Sequence, residues 1–209
     1  MCPTKPRHRL SRKKSRSKLP LAIGSLIIIA VILIAAFYVF GMGTNSTPTE
    51  TKVLLKTSMG NITIQLRDDR PITTANFLNL VKQGVYDGTI FHRVIVGFMI
   101  QGGDPTGTGY GDPSIPTIQD ELSGDNQNNR GTVAMAKKSD PTSGKSVPNS
   151  GSSQFFINLV DNHDLDTKHS VFGTVISGMN VVDAISNVAT DANDRPLIDV
   201  RIISAEIIS

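Results

Sequence analysis

Cysteine is almost missing from this chain: Cys2 is the one copy in 209 residues. A single thiol excludes an internal disulfide and any cysteine-rich metal site. Histidine is nearly as scarce, with only His92, His163 and His169 beyond the basic N-terminus. No cysteine is at hand to complete a ligand set with them, so no metal is expected. A Gly-x-Ser-x-Gly elbow is absent, which removes the usual signature of a serine hydrolase. Gly107-Thr108-Gly109-Tyr110-Gly111 is rich enough in glycine to suggest a phosphate loop, but Asp112-Pro113 follows and no helix begins there. A nucleotide loop needs a strand before it and a helix after it, so this stretch reads as a surface turn.

Acidic residues are missing from the first 18 positions, which hold eight Lys/Arg. The whole chain carries +3; without those eight, 13 basic residues face 18 acidic ones, and residues 19–209 stand near −5. The pI of about 9.1 therefore belongs to the tail, and no nucleic-acid partner is expected of the folded part. Charge of either sign is then missing from residues 21–40, a run rich in Ile, Leu, Val and Ala. At about 1.5 Å per residue a helix of this length covers about 30 Å, the hydrocarbon thickness of a bilayer. The run ends Ala35-Ala36-Phe37-Tyr38-Val39-Phe40, bulky where signal-peptide cleavage needs small residues. The expectation is a single-pass membrane protein: a basic cytoplasmic tail over 1–18, an uncleaved transmembrane signal-anchor helix over 19–40, a polar linker over 41–51, and an extracytoplasmic domain over 52–209.

Within the domain, residues 52–57 and the alternating Asn61-Ile62-Thr63-Ile64-Gln65-Leu66 predict a hairpin turning at Ser58-Met59-Gly60. Pro71 suits the first turn of a helix and Gly84 its C-terminal end. Ala75, Leu78 and Val81 form that helix's inward face, widened by Phe77 and Leu80. Short strands are expected near 89–94, 98–101, 132–135, 154–158, 171–175 and 200–208. A second helix over 180–187 carries Val181, Ala184, Ile185 and Val188 at offsets 0, 3, 4 and 7. Seven or eight short strands with two helices fit an antiparallel barrel or sandwich closed by helices; the pattern does not choose between them.

The richest stretch is Phe91-His92-Arg93-Val94-Ile95-Val96-Gly97-Phe98-Met99-Ile100-Gln101-Gly102-Gly103-Asp104. Apolar β-formers on either side of Gly97 predict two strands meeting at a bend. Arg93 and Gln101 are out of place among them. Polar groups in apolar surroundings need partners or a purpose, and here they suggest an apolar pocket with a few aimed donors. The plainer reading is a local ion pair between Arg93 and a carboxylate such as Asp104.

With this stretch stand Gly131-Thr132-Val133-Ala134-Met135-Ala136, Gly151-Ser152-Ser153-Gln154-Phe155-Phe156-Ile157, and Leu165-Asp166-Thr167-Lys168-His169-Ser170-Val171-Phe172-Gly173. In these segments and their order the chain resembles the cyclophilin-type peptidyl-prolyl cis-trans isomerases over nearly all of 52–209. The resemblance implies a mainly β fold, a closed eight-stranded antiparallel barrel capped by two α-helices, with no cofactor. It implies a catalytic set of Arg93, Gln101 and His169. Arg93 would be the catalytic donor, Gln101 would orient it and touch the substrate backbone, and His169 would stand at the pocket edge. Phe98, Met99, Phe156 and Leu165 would hold the proline ring, and Ala136, Lys137 and Gln154 would align the peptide.

The implied activity is rotation of X–Pro bonds in exported or membrane-proximal clients, by a monomer whose partners are Pro-containing segments and, through 21–40, a membrane. The rival is a tethered binding module for such segments with incidental turnover. Three positions depart from the family's pattern. Val96 stands where proline is common, and Asp164 stands where many members place a tryptophan that contacts cyclosporin. Residues 137–153 form a longer link than usual between two groove segments. Weak cyclosporin sensitivity and altered peptide selectivity are the expectations.

Overall fold

The computed structural model describes residues 51–208. The expected tail and anchor, and all of the expected linker except Thr51, lie outside them. Among the described residues no helix is long and apolar enough to cross a membrane.

Strands β1 (Lys52–Thr57) and β2 (Gly60–Leu66) form the expected hairpin, with Val53 opposite Ile64 and Leu55 opposite Ile62. Alternation sends Val53, Leu55, Ile62 and Ile64 fully inward. Helix α1 (Pro71–Lys82) starts on its proline. Its first free amides are taken by a distant carboxylate: Ile72 and Thr73 N–H donate to Glu121 Oε1 and Oε2 at 3.1 and 2.8 Å. That satisfies orphan donors and places negative charge at the positive end of the helix dipole. Gly84, at φ +69°, follows the C-terminus in the left-handed conformation that suits glycine there. The buried face is Thr73, Phe77, Leu80 and Val81, whereas Ala75 is exposed. The predicted stripe lay askew because Thr73, polar in sequence, is buried by its hydroxyl bond to Glu121.

Strands β3 (Arg93–Ile95), β4 (Met99–Gly102), β5 (Thr132–Met135), β6 (Phe155–Asn158) and β7 (Val171–Ser177) follow. Helix α2 (Met179–Ser186) buries the expected Ile185 together with Val182; the expected Val181 and Val188 pack half-buried against the core, and Ala184 is exposed. Strand β8 (Ile202–Ile208) is last. All eight strands join one antiparallel sheet in the order β3-β4-β6-β5-β7-β2-β1-β8.

The closed barrel is corrected to an open half-barrel of eight strands with two helices. Its ends, β3 and β8, do not pair. The strand expected over 89–94 is the reason. It breaks into an isolated bridging residue, Ile90, and the three-residue β3. Ile90 bridges Asp104 on one side and Arg201 on the other, then the chain diverges. The free side of β3 is met by a loop instead, with Val94 N–H donating to Asp194 O at 2.8 Å.

One face of the curled sheet holds the main core. Phe77, Tyr86, Phe91, Phe155 and Phe172 are fully buried there, with Phe155 edge-on to Phe77, Tyr86 and Phe91 at centroid distances of 5.6–6.5 Å. Each such ring is worth about 1.5–3 kcal/mol on burial. The opposite face carries a second, smaller apolar cluster: Met99, Ala134, Ala136, Phe156 and Val171. Strand alternation separates the two, since Phe155 and Ile157 point into the main core and Phe156 into the other cluster.

Candidate active site

Register assembles the site. Arg93 on β3 is directly opposite Gln101 on β4, Gln101 is opposite Phe156 on β6, Phe156 is opposite Ala134 on β5, and Ala134 is opposite Val171 on β7. One row across five strands therefore runs from a guanidinium, through a primary amide, to an apolar floor. Met99 lies two residues before Gln101 and so shares this face. It is 2% exposed and Phe156 is 4% exposed, while Ile95, Phe98 and Leu165 are partly buried against them.

The bend between β3 and β4 depends on Gly97 at φ +71°, where a side chain would be strained. Phe98 is held by its carbonyl, which accepts from Leu159 N–H at 2.9 Å and from Asn162 Nδ2 at 3.0 Å. The same Asn162 caps the 3-10 turn His163–Leu165 that delivers Leu165.

His169 forms the pocket's edge, its ring T-shaped to Phe156 at 5.3 Å. Nδ1 lies 2.9 Å from Met135 O. A carbonyl only accepts, so Nδ1 carries the proton and Nε2 is left to accept from Ser146 Oγ at 3.2 Å. Burial pushes the imidazole pKa below its ordinary 6.5, against the opposing pull of the Met135 bond. At neutral pH the ring is therefore uncharged and tied at both nitrogens. That suits a wall better than a proton donor.

Gln101 Nε2 donates to Gln154 Oε1 at 2.9 Å, and Gln154 Nε2 donates to Gly109 O at 3.0 Å. The expected orienting amide is thus bonded to Gln154. The Lys137 ammonium is buried on Asp120 at 2.7 Å. Asp104, the local carboxylate considered for Arg93, is fully buried and holds the 104–111 loop instead, accepting from Gly109 N–H at 2.6 Å and Thr106 N–H at 2.9 Å. The acid beside Arg93 is Asp194, with Oδ2 3.6 Å from Nε.

A groove of about 1080 Å³ adjoins the apolar patch. It is lined by Arg93, Gln101, Gln154 and Ala136, by the 108–113 loop, and by residues 137–139. The stretch read as a surface turn is thus also a groove wall, wrapped round a buried carboxylate. The long 137–153 link folds back on itself, with Ser139 bridging Ser146 and Val147 N–H donating to Lys138 O at 2.8 Å. Through Ser146 it reaches His169.

All ten site residues that the resemblance implies come to one face or its rim. Lys137 lines the groove while its ammonium is engaged by Asp120. Asp194, Ser146 and the 108–111 wall were missed. Asp194 and Ser146 lie far from their partners along the chain, beyond the reach of spacing. For the wall, the one available signal was the alternation of Thr and Gly just after Asp104. Among the described residues no group of three His, Cys, Asp or Glu is placed to hold a metal ion.

A family model for "Cyclophilin type peptidyl-prolyl cis-trans isomerase/CLD" matches residues 52–207. The chain is 45% identical over 157 residues to peptidyl-prolyl cis-trans isomerase ppi1 of Schizosaccharomyces pombe, covering 73% of this chain and 96% of that one. It is 48% identical over 158 residues to peptidyl-prolyl cis-trans isomerase-like 1 of Rhizopus delemar, covering 74% and 91%. A crystal structure of a Cryptosporidium parvum cyclophilin type peptidyl-prolyl cis-trans isomerase superposes with a TM-score of 0.70 at 32% identity, over 77% of this chain and 98% of that one. The same protein in the presence of the dipeptide Ala-Pro gives 0.69 at 33%, over 76% and 99%. A guanidinium one strand away from an apolar pocket, in a fold and sequence shared with these proteins, places the chain in the family of cyclophilin-type peptidyl-prolyl cis-trans isomerases.

Proposed function

We propose that Arg93 catalyses rotation of X–Pro bonds whose proline ring sits on Phe98, Met99, Phe156 and Leu165, the peptide running along the adjoining groove past Gln101, Gln154 and Ala136. Amide resonance sets the barrier at about 18–20 kcal/mol, whereas cis and trans X–Pro differ by about 0.5–1 kcal/mol. Both isomers are populated and exchange slowly. The twisted transition state loses conjugation, and its nitrogen becomes pyramidal and gains a lone pair. A donor fixed toward that lone pair binds the transition state better than either planar state. Arg suits the task because it stays charged and its donors form a rigid fork.

The observation that carries this reading is the register row from Arg93 through Gln101 to Phe156, a guanidinium in line with an apolar floor. No obligatory proton transfer occurs, consistent with the neutral, doubly tied His169. Its role in this scheme is to wall the pocket.

The cellular setting belongs to the same proposal. The uncharged run over 21–40 and the eight basic residues before it support a membrane anchor with the domain outside the cytoplasm. There it would act on exported or membrane-proximal chains whose folding is limited by X–Pro exchange over tens of seconds. The enzymatic part is tested with the full-length chain on a short X–Pro peptide. Arg93→Ala is expected to lose one or more orders of magnitude in kcat/KM, and a variant as active as wild type would overturn the assignment. Retention in the membrane fraction after alkaline extraction, lost on deletion of 19–40, tests the anchor.

A further inference from the structure

A donor aimed at a lone pair must be held before the substrate arrives, and Arg93 is a long side chain that is 45% exposed. Gln101, its cross-strand neighbour, gives its own amide hydrogen to Gln154. The turn over 190–196 offers another anchor. Thr190 bridges Pro196, and the Asp191 carboxylate accepts from Asn193 and Arg195 N–H at 2.8 and 3.0 Å. Arg195 Nη1 donates to Gly107 O at 2.8 Å, pinning the turn to the groove loop.

At its tip Asp194 takes φ +62°, one of two non-glycine residues with positive φ among those described. An L-residue there is uncommon and strained, and such outliers gather at functional sites. The conformation lets Asp194 engage two consecutive residues of β3. Its carbonyl accepts from Val94 N–H at 2.8 Å, and its carboxylate faces Arg93 Nε at 3.6 Å. The carboxylate thus meets the guanidinium at Nε, and among the described residues no hydrogen bond occupies Nη1 or Nη2.

We infer that Asp194 is the positioning residue of the site, holding Arg93 by its Nε side so that the Nη donors are presented to the twisting X–Pro bond. The inference rests on the role proposed for Arg93. Its test uses the full-length chain, a short X–Pro peptide and four variants. Asp194→Asn keeps the shape and tolerates the left-handed backbone, and Asp194→Gly relaxes that backbone; both remove the charge. Each is expected to lower kcat about three- to fivefold, in keeping with a half-exposed ion pair, with KM unchanged. In an Arg93→Ala background, Asp194→Asn should cause no further loss. Wild-type kcat in both single variants overturns the inference. So does recovery in Asp194→Gly alone, which would assign the effect to the backbone. An equal loss in the Arg93→Ala background also overturns it, because Asp194 would then act on substrate directly. If Arg93→Ala is itself fully active, the catalytic assignment falls and this inference with it; a crippled Arg93→Ala with normal Asp194 variants removes the inference alone.

Discussion

Replacing Asp104 by asparagine measures how much of the groove depends on one buried carboxylate. Oδ1 accepts from Thr106 N–H and Oγ at 2.9 Å each. Oδ2 accepts from Gly109 N–H at 2.6 Å, Gly111 N–H at 3.2 Å and Thr108 Oγ at 3.4 Å. An amide keeps one acceptor oxygen. Whichever way it turns, at least one backbone N–H meets an NH₂ group, which costs about 1–3 kcal/mol for an unsatisfied buried donor. The bonds that survive lose charge assistance and about half their strength. Together the loss should be about 2–5 kcal/mol, read as a fall in the urea midpoint with an unchanged slope. The cause also fixes a pH signature. Burial alone would raise this carboxyl, but the hydrogen bonds from Thr106, Gly111 and Gly109 outweigh it and hold its pKa below the ordinary 3.8. The native state therefore binds fewer protons than the unfolded chain in that range. The stabilisation is present above pH 3.8 and lost as pH falls through the folded value, so the gap between wild type and variant should narrow there. A loss under about 1 kcal/mol, with amide exchange over 104–111 unchanged, would refute the account.

Other outcomes follow from the same geometry. His92 and His169 are both held below the ordinary 6.5, by burial first. The unfolded chain takes up protons near 6.5 and the folded one does not, so stability should be flat above that pH and fall as pH drops below it. Urea midpoints at pH 8 and 5.5 read this directly, and His169→Gln should remove part of the drop; equal midpoints in wild type would contradict it. Phe156→Ala removes a ring that is 4% exposed, and about 1.5–3 kcal/mol of apolar contact predicts a tenfold or larger fall in kcat/KM for X–Pro peptides. Retained activity would move the proline ring elsewhere. Asp164 is exposed on the turn at the pocket's rim, so cyclosporin should inhibit weakly, and nanomolar inhibition would sink that expectation.

Short-range physics left a clear trace in this chain. Alternation marked β1 and β2, Pro71 and Gly84 bracketed α1, and the residues about Gly97 encoded a bend with Arg93 and Gln101 on facing strands. Helix faces were less legible, because Thr73 is buried by an acid 48 residues away and periodicity does not register such partners. Closure was misjudged because a strand-like composition over 89–94 gives no sign that Ile90 must bridge two segments at once.

The residue types needed for the site were determined by sequence, as was their division between an apolar floor and polar donors. Which carboxylate meets Arg93 was decided by tertiary structure. Asp104 is near in sequence but buried under its own loop, and Asp194, a hundred positions away, is brought to β3 by a turn whose hydrogen bonds exist only once the chain has folded. Tertiary contacts likewise set the tautomer of His169, through Met135 O, and hold its pKa below the ordinary 6.5, through burial. Side-chain chemistry is written residue by residue, but partners and solvation belong to the packed whole.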